Sequence, residues 1–257
     1  MAEQGICEDC VTGFLKSGKT TGEIKEIGSV QAYFAPSTNH TSDKAIVVIS
    51  DIFGWEFVNA RLYADELAKQ TGFLVVLPDL MKGYAFSTDV LQKPTGIVQS
   101  IVQKAKFAGL IYSFGILRLN LKDKDVLDSG LAVIQDLRSN YGIQSIGVHG
   151  NRGPEHSAAP VQAYAAGHPS LLSVPGDFTN LDPNLPGFYQ LAESDMMVTE
   201  KTRGQIEELT KDMNFKIKMY PGTKHGFCLK SNEDDENERN IAAEATKDAA
   251  EFFRASL

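Results

Sequence analysis

Two reactive side chains follow strand-like segments in the second half of the sequence. Asp195 comes after the segment G-F-Y-Q-L-A-E at 187–193, and His225 comes after F-K-I-K-M-Y-P at 215–221. A carboxylate that binds an imidazole fixes its tautomer and stabilises the imidazolium, so such a histidine can act as a general base near neutral pH. Many catalytic triads carry the acid and the base in this chain order. The pattern therefore predicts a catalytic dyad of Asp195 and His225.

Each of these residues also has a simpler interpretation. A histidine in a glycine-rich segment such as G-T-K-H-G-F, 222–227, is often only a turn residue, and an aspartate after a strand often caps the next helix. Asp195 stands five residues before the helix predicted at 200–212, which is slightly far for a cap. The two residues together, in this order, favour the dyad.

The stretch 145–157, S-I-G-V-H-G-N-R-G-P-E-H-S, is a place where a nucleophile or a phosphate-binding loop would be expected, because a short apolar strand there leads into a glycine-rich turn. No Ser or Cys lies between its glycines, and it lacks Lys followed by Ser or Thr. The surroundings of a catalytic site are thus present without the expected central residue. Ser157 could replace a nucleophile only if the loop refolds, because it lies too far beyond the turn to meet His225.

Buried strands alternating with amphipathic helices predict an α/β fold. The segments K-A-I-V-V-I-S-D at 44–51 and F-L-V-V-L-P-D at 73–79 are continuous apolar runs, as in strands buried on both faces of a parallel sheet. The helix predicted at 59–70 joins them into a β-α-β unit. Further strands are predicted at 28–36, 146–150, 161–167, 187–193 and 215–221, and further helices at 123–141, 200–212 and 238–257. We therefore predict a mainly parallel, doubly wound sheet with helices on both faces.

Two segments interrupt this alternation. Residues 1–27 are predicted to form an irregular N-terminal arm. Residues 80–119 contain glycine, proline and recurring aromatic residues, Tyr84 among them, and are predicted to form a lid or substrate wall at the carboxyl edge of the sheet, or else a surface excursion with a small core of its own. No repeat or linker divides the chain, so 1–257 is predicted to be a single domain.

Composition restricts the partners. A net charge of −8 gives no basic surface for nucleic acid, and none is predicted as a partner. The N-terminus is acidic and no segment is long enough to span a bilayer, so we expect a soluble, cytoplasmic protein with no membrane partner. Cys7 and Cys10 form a C-x-x-C pair without the second ligand pair of a zinc site, and neither a metal nor another cofactor is predicted. The expected partner is a small-molecule substrate, and the expected assembly is a monomer or homodimer.

Six segments carry a family resemblance. They are C-E-D-C near the start, V-V-I-S-D-I-F-G-W-E-F-V-N-A-R-L-Y-A-D-E-L-A at 47–68, V-V-L-P-D at 75–79, H-P-S at 168–170, L-A-E-S-D-M-M-V at 191–198 and Y-P-G-T-K-H-G-F at 220–227. Together they resemble the dienelactone hydrolase family, a branch of the α/β-hydrolases, and in particular its fungal and plant members. The resemblance implies the α/β-hydrolase fold, His225 as a triad base and Asp195 as its orienting acid. It also implies that Asp51 matches an acidic residue that contacts the nucleophile in the resting enzyme.

The sequence departs from the family at the nucleophile. The family continues the strand that ends here at Gly150 as G-x-C-x-G-G, whereas this chain reads G-N-R-G-P-E-H. Aligned without a gap, Arg152 stands where the cysteine should be, and aligned with a one-residue deletion, the cysteine is absent; neither register restores a nucleophile. Pro154 and Pro160 bracket the segment, so the helix after the turn is predicted to be reduced or lost, together with an N–H of the oxyanion hole. Cys228 is predicted to pack beneath the loop of His225.

Three functions remain open for such a site. The dyad could isomerise, eliminate, cyclise or hydrate a small lactone, ester or polyketide-like compound without an acyl intermediate, with Arg152 binding a carboxylate or an enolate unless it pairs with the acidic surface. Water activated by His225 could hydrolyse an activated ester, with a general-base acceleration of roughly 10²- to 10⁴-fold. A non-catalytic protein that only binds a ligand is the third. The residues predicted to contact substrate are Arg152, Asp51, Ile52, Trp55, Asn151 and Tyr84.

Overall fold

The computed structural model describes residues 8–36, 42–91, 109, 122–150 and 160–257, and its strands form one sheet. The strands are β1 (Glu23–Ile27), β2 (Val30–Ala35), β3 (Lys44–Val48), β4 (Leu74–Pro78), β5 (Ser145–Gly150), β6 (Ala163–Gly167), β7 (Gly187–Ser194) and β8 (Phe215–Lys224). Their order is β1-β2-β4-β3-β5-β6-β7-β8. The pairs β1–β2 and β2–β4 are antiparallel, and all pairs from β4 to β8 are parallel.

Five helices accompany the sheet in the described residues: α1 (Val58–Thr71), α2 (Asp123–Asn140), α3 (Glu200–Thr210), the single turn α4 (Phe227–Lys230) and α5 (Glu236–Ser256). Short 3₁₀ turns occupy Glu8–Cys10, Thr88–Leu91 and Gly176–Phe178. None of these helices combines the length and hydrophobicity that crossing a bilayer requires.

Side chains that alternate along the central strands pack against helices on both faces. In β3, Ile46 belongs to a core with Leu67 of α1 and Phe253 of α5, whereas its neighbour Val47 belongs to a core with Leu137 of α2. Alternation of this kind is what a pleated strand buried on both faces produces. The predicted doubly wound α/β architecture is therefore confirmed.

The prediction of an irregular arm over 1–27 is wrong for its last five residues. Glu23–Ile27 form β1, an edge strand paired with β2 from Glu23↔Phe34 to Ile27↔Val30. The sequence E-I-K-E-I has no clear alternation, and only Ile27 is buried, because the strand lies at the edge of the sheet. Residues Gly28 and Ser29, predicted as the start of a strand, instead form the two-residue turn between β1 and β2.

The conformation of the turn at Gly28 and Ser29 leads to a prediction about stability. Gly28 and Ser29 both have positive φ, 55° and 67°, as a type I′ turn requires, and Ser29 is exposed. Replacement of Ser29 by glycine removes the left-handed penalty of a residue with a Cβ, and should raise the free energy of unfolding by about 0.5–1 kcal/mol. The matched change Gly28→Ala should lower it, because the new Cβ would lie 2.5 Å from the Val133 backbone nitrogen. Urea unfolding of both variants measures the difference, and a Ser29→Gly protein less stable than wild type would contradict the prediction.

The preceding part of the arm is anchored although it is irregular. Val11 is buried, the Phe14 N–H donates to the Lys230 carbonyl at 3.1 Å, and the Lys16 N–H donates to Asn59 Oδ1 at 2.8 Å. The arm thus packs against α1 and α4, next to the carboxyl edge of the sheet.

Candidate active site

The pairing of β7 with β8 places Asp195 and His225 side by side. The last pair in the register is Ser194↔Lys224, so the next residue of each strand emerges at the same edge of the sheet. Between this pair and Ala192↔Tyr220, β8 carries two more residues than β7, which makes an irregularity like a β-bulge. The prediction that the last strand ends at 221 is therefore wrong, because β8 continues beyond the irregularity to Lys224.

The two side chains form a close and buried pair. His225 Nδ1 lies 2.9 Å from Asp195 Oδ2 and 3.1 Å from Oδ1, and the side chains are only 4% and 1% exposed. An ionised carboxylate can only accept, so Nδ1 carries the proton and Nε2 of the neutral ring is the acceptor. This is the arrangement that a histidine general base requires.

The simpler interpretation of Asp195 as a helix cap is wrong. The N-cap of α3 is Thr199, whose Oγ1 accepts from the Thr202 N–H at 3.3 Å. Asp195 Oδ1 instead accepts from the Met197 N–H at 2.8 Å, a local bond that fixes the carboxylate toward His225.

A serine that the sequence reasoning did not select occupies the other side of His225. Ser170 Oγ lies 3.1 Å from His225 Nε2, and the tautomer assigned above makes the hydroxyl the donor. Ser170 follows β6, at the carboxyl edge of the sheet where residues after parallel strands meet. The signal was the H-P-S segment itself, which served only as a mark of family resemblance.

The segment that carries Ser170 has an unusual backbone. His168 and Leu171, on either side of Pro169–Ser170, have φ values of 41° and 56°. Residues with a Cβ rarely adopt positive φ, and such strain is concentrated at functional sites. The His168 ring is buried and packs edge-on against the His225 ring, with centroids 5.1 Å apart. Burial, chiefly, and the neighbouring His225 and Lys230 hold the pKa of His168 well below its usual value, so His168 adds no charge at the site.

Asp51 lies close enough to the dyad to interact with it electrostatically. Its Oδ1 accepts from the Phe53 N–H at 3.0 Å. Burial raises the pKa of Asp51, and Lys230, the Phe53 N–H and His225 partly offset that effect. Lys230 is itself buried, and its Nζ donates to the Asp9 carbonyl at 2.9 Å. The Asp51 carboxyl and the Lys230 ammonium group thus accompany the dyad, and the ammonium group also binds the N-terminal arm.

The other predicted substrate contacts lie around this loop with different exposure. The Ile52 side chain is half-buried, and its carbonyl accepts from the Phe86 N–H at 2.9 Å, which brings part of the segment 80–91 beside the site. The Trp55 ring lies 4.8 Å from the Arg61 guanidinium, in a cation–π contact. Tyr84 is exposed. The positions of these side chains neither confirm nor contradict their contact with a substrate, so that contact stays a prediction.

Several predictions concern residues outside the described ranges. Asn151, Arg152 and Ser157 lie there, as do 92–108 and 110–119 of the predicted lid, so the predictions about the altered turn and the lid remain predictions.

Cys228 is described and is buried, with its Sγ 3.1 Å from the point where a Cβ on Gly167 would stand. Its packing beneath the His225 loop is confirmed, and burial raises the pKa of its thiol far above the usual range, so it is not a thiolate.

Within 8–36, 42–91, 109, 122–150 and 160–257, no three His, Cys, Asp or Glu side chains are grouped so that they could hold a metal ion. Cys10, from the C-x-x-C pair, is half-buried and packs against the core that contains Phe253.

Gly226, directly after His225, gives a second stability prediction. Its φ is 90°, and a Cβ there would lie 2.4 Å from Lys230 Cε. Gly222 has a similar φ of 73° but no heavy atom within 4 Å of its Cβ position. Gly222→Ala should therefore lower the free energy of unfolding by about 1–2 kcal/mol through backbone strain alone. Gly226→Ala should lower it further, because Lys230 must also move away from the carbonyls it binds. Chemical unfolding of the two variants measures this difference, and equal losses would contradict the role assigned to Lys230.

Comparison with known proteins identifies the family. The family model for dienelactone hydrolases matches residues 30–137 and 153–257. The chain belongs to the dienelactone hydrolase family. The two matched parts leave out 138–152, which contains β5 and Arg152.

Individual relatives extend over nearly the whole chain. The Carboxymethylenebutenolidase homolog of Xenopus tropicalis is 25% identical over 243 residues, covering 90% of this chain and 89% of that protein. Hydrolase tropI of Talaromyces stipitatus is 24% identical over 259 residues, covering 95% and 94%. A solved structure described as a dienelactone hydrolase of Klebsiella pneumoniae superposes with a TM-score of 0.65 at 18% identity, covering 92% of this chain and 99% of that one. This last likeness concerns the fold, and it agrees with the α/β-hydrolase architecture.

Proposed function

We propose that this member of the dienelactone hydrolase family hydrolyses the ester bond of a small lactone, ester or polyketide-like compound, with His225 as the general base. The observation that carries the proposal is the buried dyad: Asp195 holds Nδ1 of His225 at 2.9 Å, and Nε2 faces a hydroxyl at 3.1 Å. A histidine held in this way is prepared to remove a proton from an oxygen nucleophile.

The chemistry requires one proton to pass from the attacking oxygen to Nε2 of His225 and from there to the leaving oxygen. Nε2 of His225 accepts the proton of the attacking oxygen, and Asp195 stabilises the imidazolium that forms. As the carbonyl carbon releases its alkoxide, Nε2 returns the proton to the leaving oxygen. In a lactone this step opens the ring.

Two considerations favour hydrolysis over isomerisation, elimination or cyclisation at the same dyad. The base faces an oxygen–hydrogen donor, which suits attack on a carbonyl, and the chain belongs to a family of hydrolases. The name of the Xenopus relative indicates a butenolide, which is a lactone, as the substrate type of its homologues. We assign Asp51, Ile52, Trp55, Tyr84, Asn151 and Arg152 to the wall of the substrate pocket, and Arg152 in particular to binding a carboxylate.

Hydrolysis of a panel of small lactones and p-nitrophenyl esters tests the proposal. His225→Ala should lower kcat/KM by roughly 10²- to 10⁴-fold, the contribution of a general base. The exposed neighbour Lys224→Ala, at the end of the same strand, should leave the rate within about twofold of wild type. A protein that binds these compounds, as judged by thermal shift, without His225-dependent turnover would instead be the non-catalytic ligand-binding protein.

A further inference from the structure

We propose that Ser170 is the nucleophile of this site, so that the covalent acyl intermediate forms at the end of β6 and not after β5, where the family carries its cysteine. The inference rests on the proposed hydrolytic function and names the group that attacks the substrate. It would make this chain a serine hydrolase with a triad of Ser170, His225 and Asp195.

The sheet brings the three residues together from three consecutive strands. Ser170 follows β6, Asp195 follows β7 and His225 follows β8, and these strands are neighbours in the order β6-β7-β8. All three strands are parallel, so all three side chains emerge at the carboxyl edge. Since β5 lies directly beside β6, the nucleophile has moved by one strand along the edge.

The hydrogen bonds have the directions that a serine triad needs. Asp195 accepts from Nδ1 of His225, and Nε2 accepts from the Ser170 hydroxyl at 3.1 Å, within the range expected for a nucleophile and its base. The histidine and aspartate are buried, whereas Ser170 is half-buried and so remains accessible from outside. The nucleophile therefore lies between the buried base and the solvent, where a substrate can reach it.

The backbone supports the same assignment. A nucleophile in this fold sits on a sharp, strained turn that directly follows a strand. The β6 segment has that character, because φ is positive at His168 and at Leu171, the residues that surround Pro169–Ser170.

The described cysteine that follows His225 is unsuitable as a nucleophile. Cys228 lies three residues after His225, but its thiol is buried against Gly167 and its pKa is raised by burial. A thiol in that state is a poor nucleophile.

The reaction balances without a cofactor. The Ser170 hydroxyl gives its proton to His225 Nε2 while Oγ bonds to the carbonyl carbon, and the carbonyl oxygen becomes an oxyanion. Collapse of this intermediate breaks the bond to the leaving oxygen, which takes the proton from Nε2. Water then attacks the Ser170 ester, gives its proton to Nε2, and the acid leaves as Ser170 regains a proton.

Covalent labelling tests the inference without knowledge of the natural substrate. A fluorophosphonate probe is incubated with the full-length protein, and the adduct is located by peptide mass spectrometry. We expect one adduct, on Ser170, which disappears in Ser170→Ala and His225→Ala and persists in Ser173→Ala, an exposed serine of the same segment. An adduct on another serine, or no adduct on wild-type protein, would overturn the inference.

Turnover separates this inference from the proposed function. With p-nitrophenyl acetate, wild-type protein should release a burst of p-nitrophenol close to one equivalent, and Ser170→Ala should abolish the burst and lower turnover by on the order of 10³-fold. If His225→Ala is inactive but Ser170→Ala keeps its rate, water is the nucleophile: the proposed function stands and the inference fails. If neither change affects hydrolysis, both fail. The variant Ser170→Cys tests whether a protein altered at this position keeps its folded site. In a folded site, iodoacetamide should alkylate the introduced thiol faster with His225 in place than when Ser170→Cys is combined with His225→Ala.

Discussion

Replacement of Asp195 by asparagine is expected to lower kcat/KM for ester hydrolysis by on the order of 10⁴-fold while leaving the fold intact. The asparagine amide can donate to His225 Nδ1, which then carries no proton, and the ring adopts the tautomer with its proton on Nε2. That tautomer cannot accept from Ser170, so the base is present in the wrong form. The loss arises from a proton position and not from a missing side chain.

A matched change and a second readout keep this prediction specific. Asp182→Asn, in the exposed loop between β6 and β7, alters the same side chain away from the dyad and should retain wild-type kcat/KM. Circular dichroism and urea unfolding should show that Asp195→Asn remains folded. Retention of more than a tenth of the wild-type rate by the folded variant would show that Asp195 does not set the tautomer of His225.

Stability is expected to fall steeply as the pH drops from about 6.5 to about 4. Burial lowers the pKa of His149, the penultimate residue of β5, from 6.5 to about 4, and also holds the pKa of His168 well below its usual value. Because the native pKa lies below the unfolded value, the unfolded chain takes up protons first as the pH falls. The stabilisation is complete above pH 6.5 and is lost on the way down to the native pKa. Each such histidine changes the free energy of unfolding by up to about 1.4 kcal/mol per pH unit in this window.

The variant His149→Gln isolates one of these contributions. The His149 Nε2 atom lies 3.0 Å from the Tyr63 hydroxyl, and a glutamine amide can keep a hydrogen bond to that hydroxyl without titrating. Urea unfolding between pH 7.5 and 4.5 should show a shallower loss of stability for the variant. The slope of its free energy of unfolding against pH should correspond to about one fewer proton taken up on unfolding. The raised pKa of Asp51 acts in the opposite direction, so the difference between the variant and wild type is the quantity that decides. Parallel curves for the two proteins would place the sensitivity to acid elsewhere.

Neighbouring elements differ in how far the sequence could predict them. The runs at 44–51 and 73–79 contain the buried strands β3 (Lys44–Val48) and β4 (Leu74–Pro78), because continuous β-branched segments suit few other environments. The edge strand β1 was missed, since an edge strand needs no continuous apolar face. The end of β8 was missed as well, because proline and glycine at 221–222 indicate a turn, whereas the sheet accommodates them in an irregularity and continues.

The sequence by itself determined the family and the α/β class and predicted the pairing of Asp195 with His225, because family motifs, periodic burial and chain order are properties of the chain alone. The tertiary structure decided what faces the base. Ser170 and His225 are 55 residues apart, and their contact depends on the register of three parallel strands and on a strained turn after β6. Neither leaves a periodic signal in the sequence, because a hydrogen bond between loops depends on where strands end and not on which residues repeat. The sequence thus predicted a site without its nucleophile, and the fold places a hydroxyl beside the base.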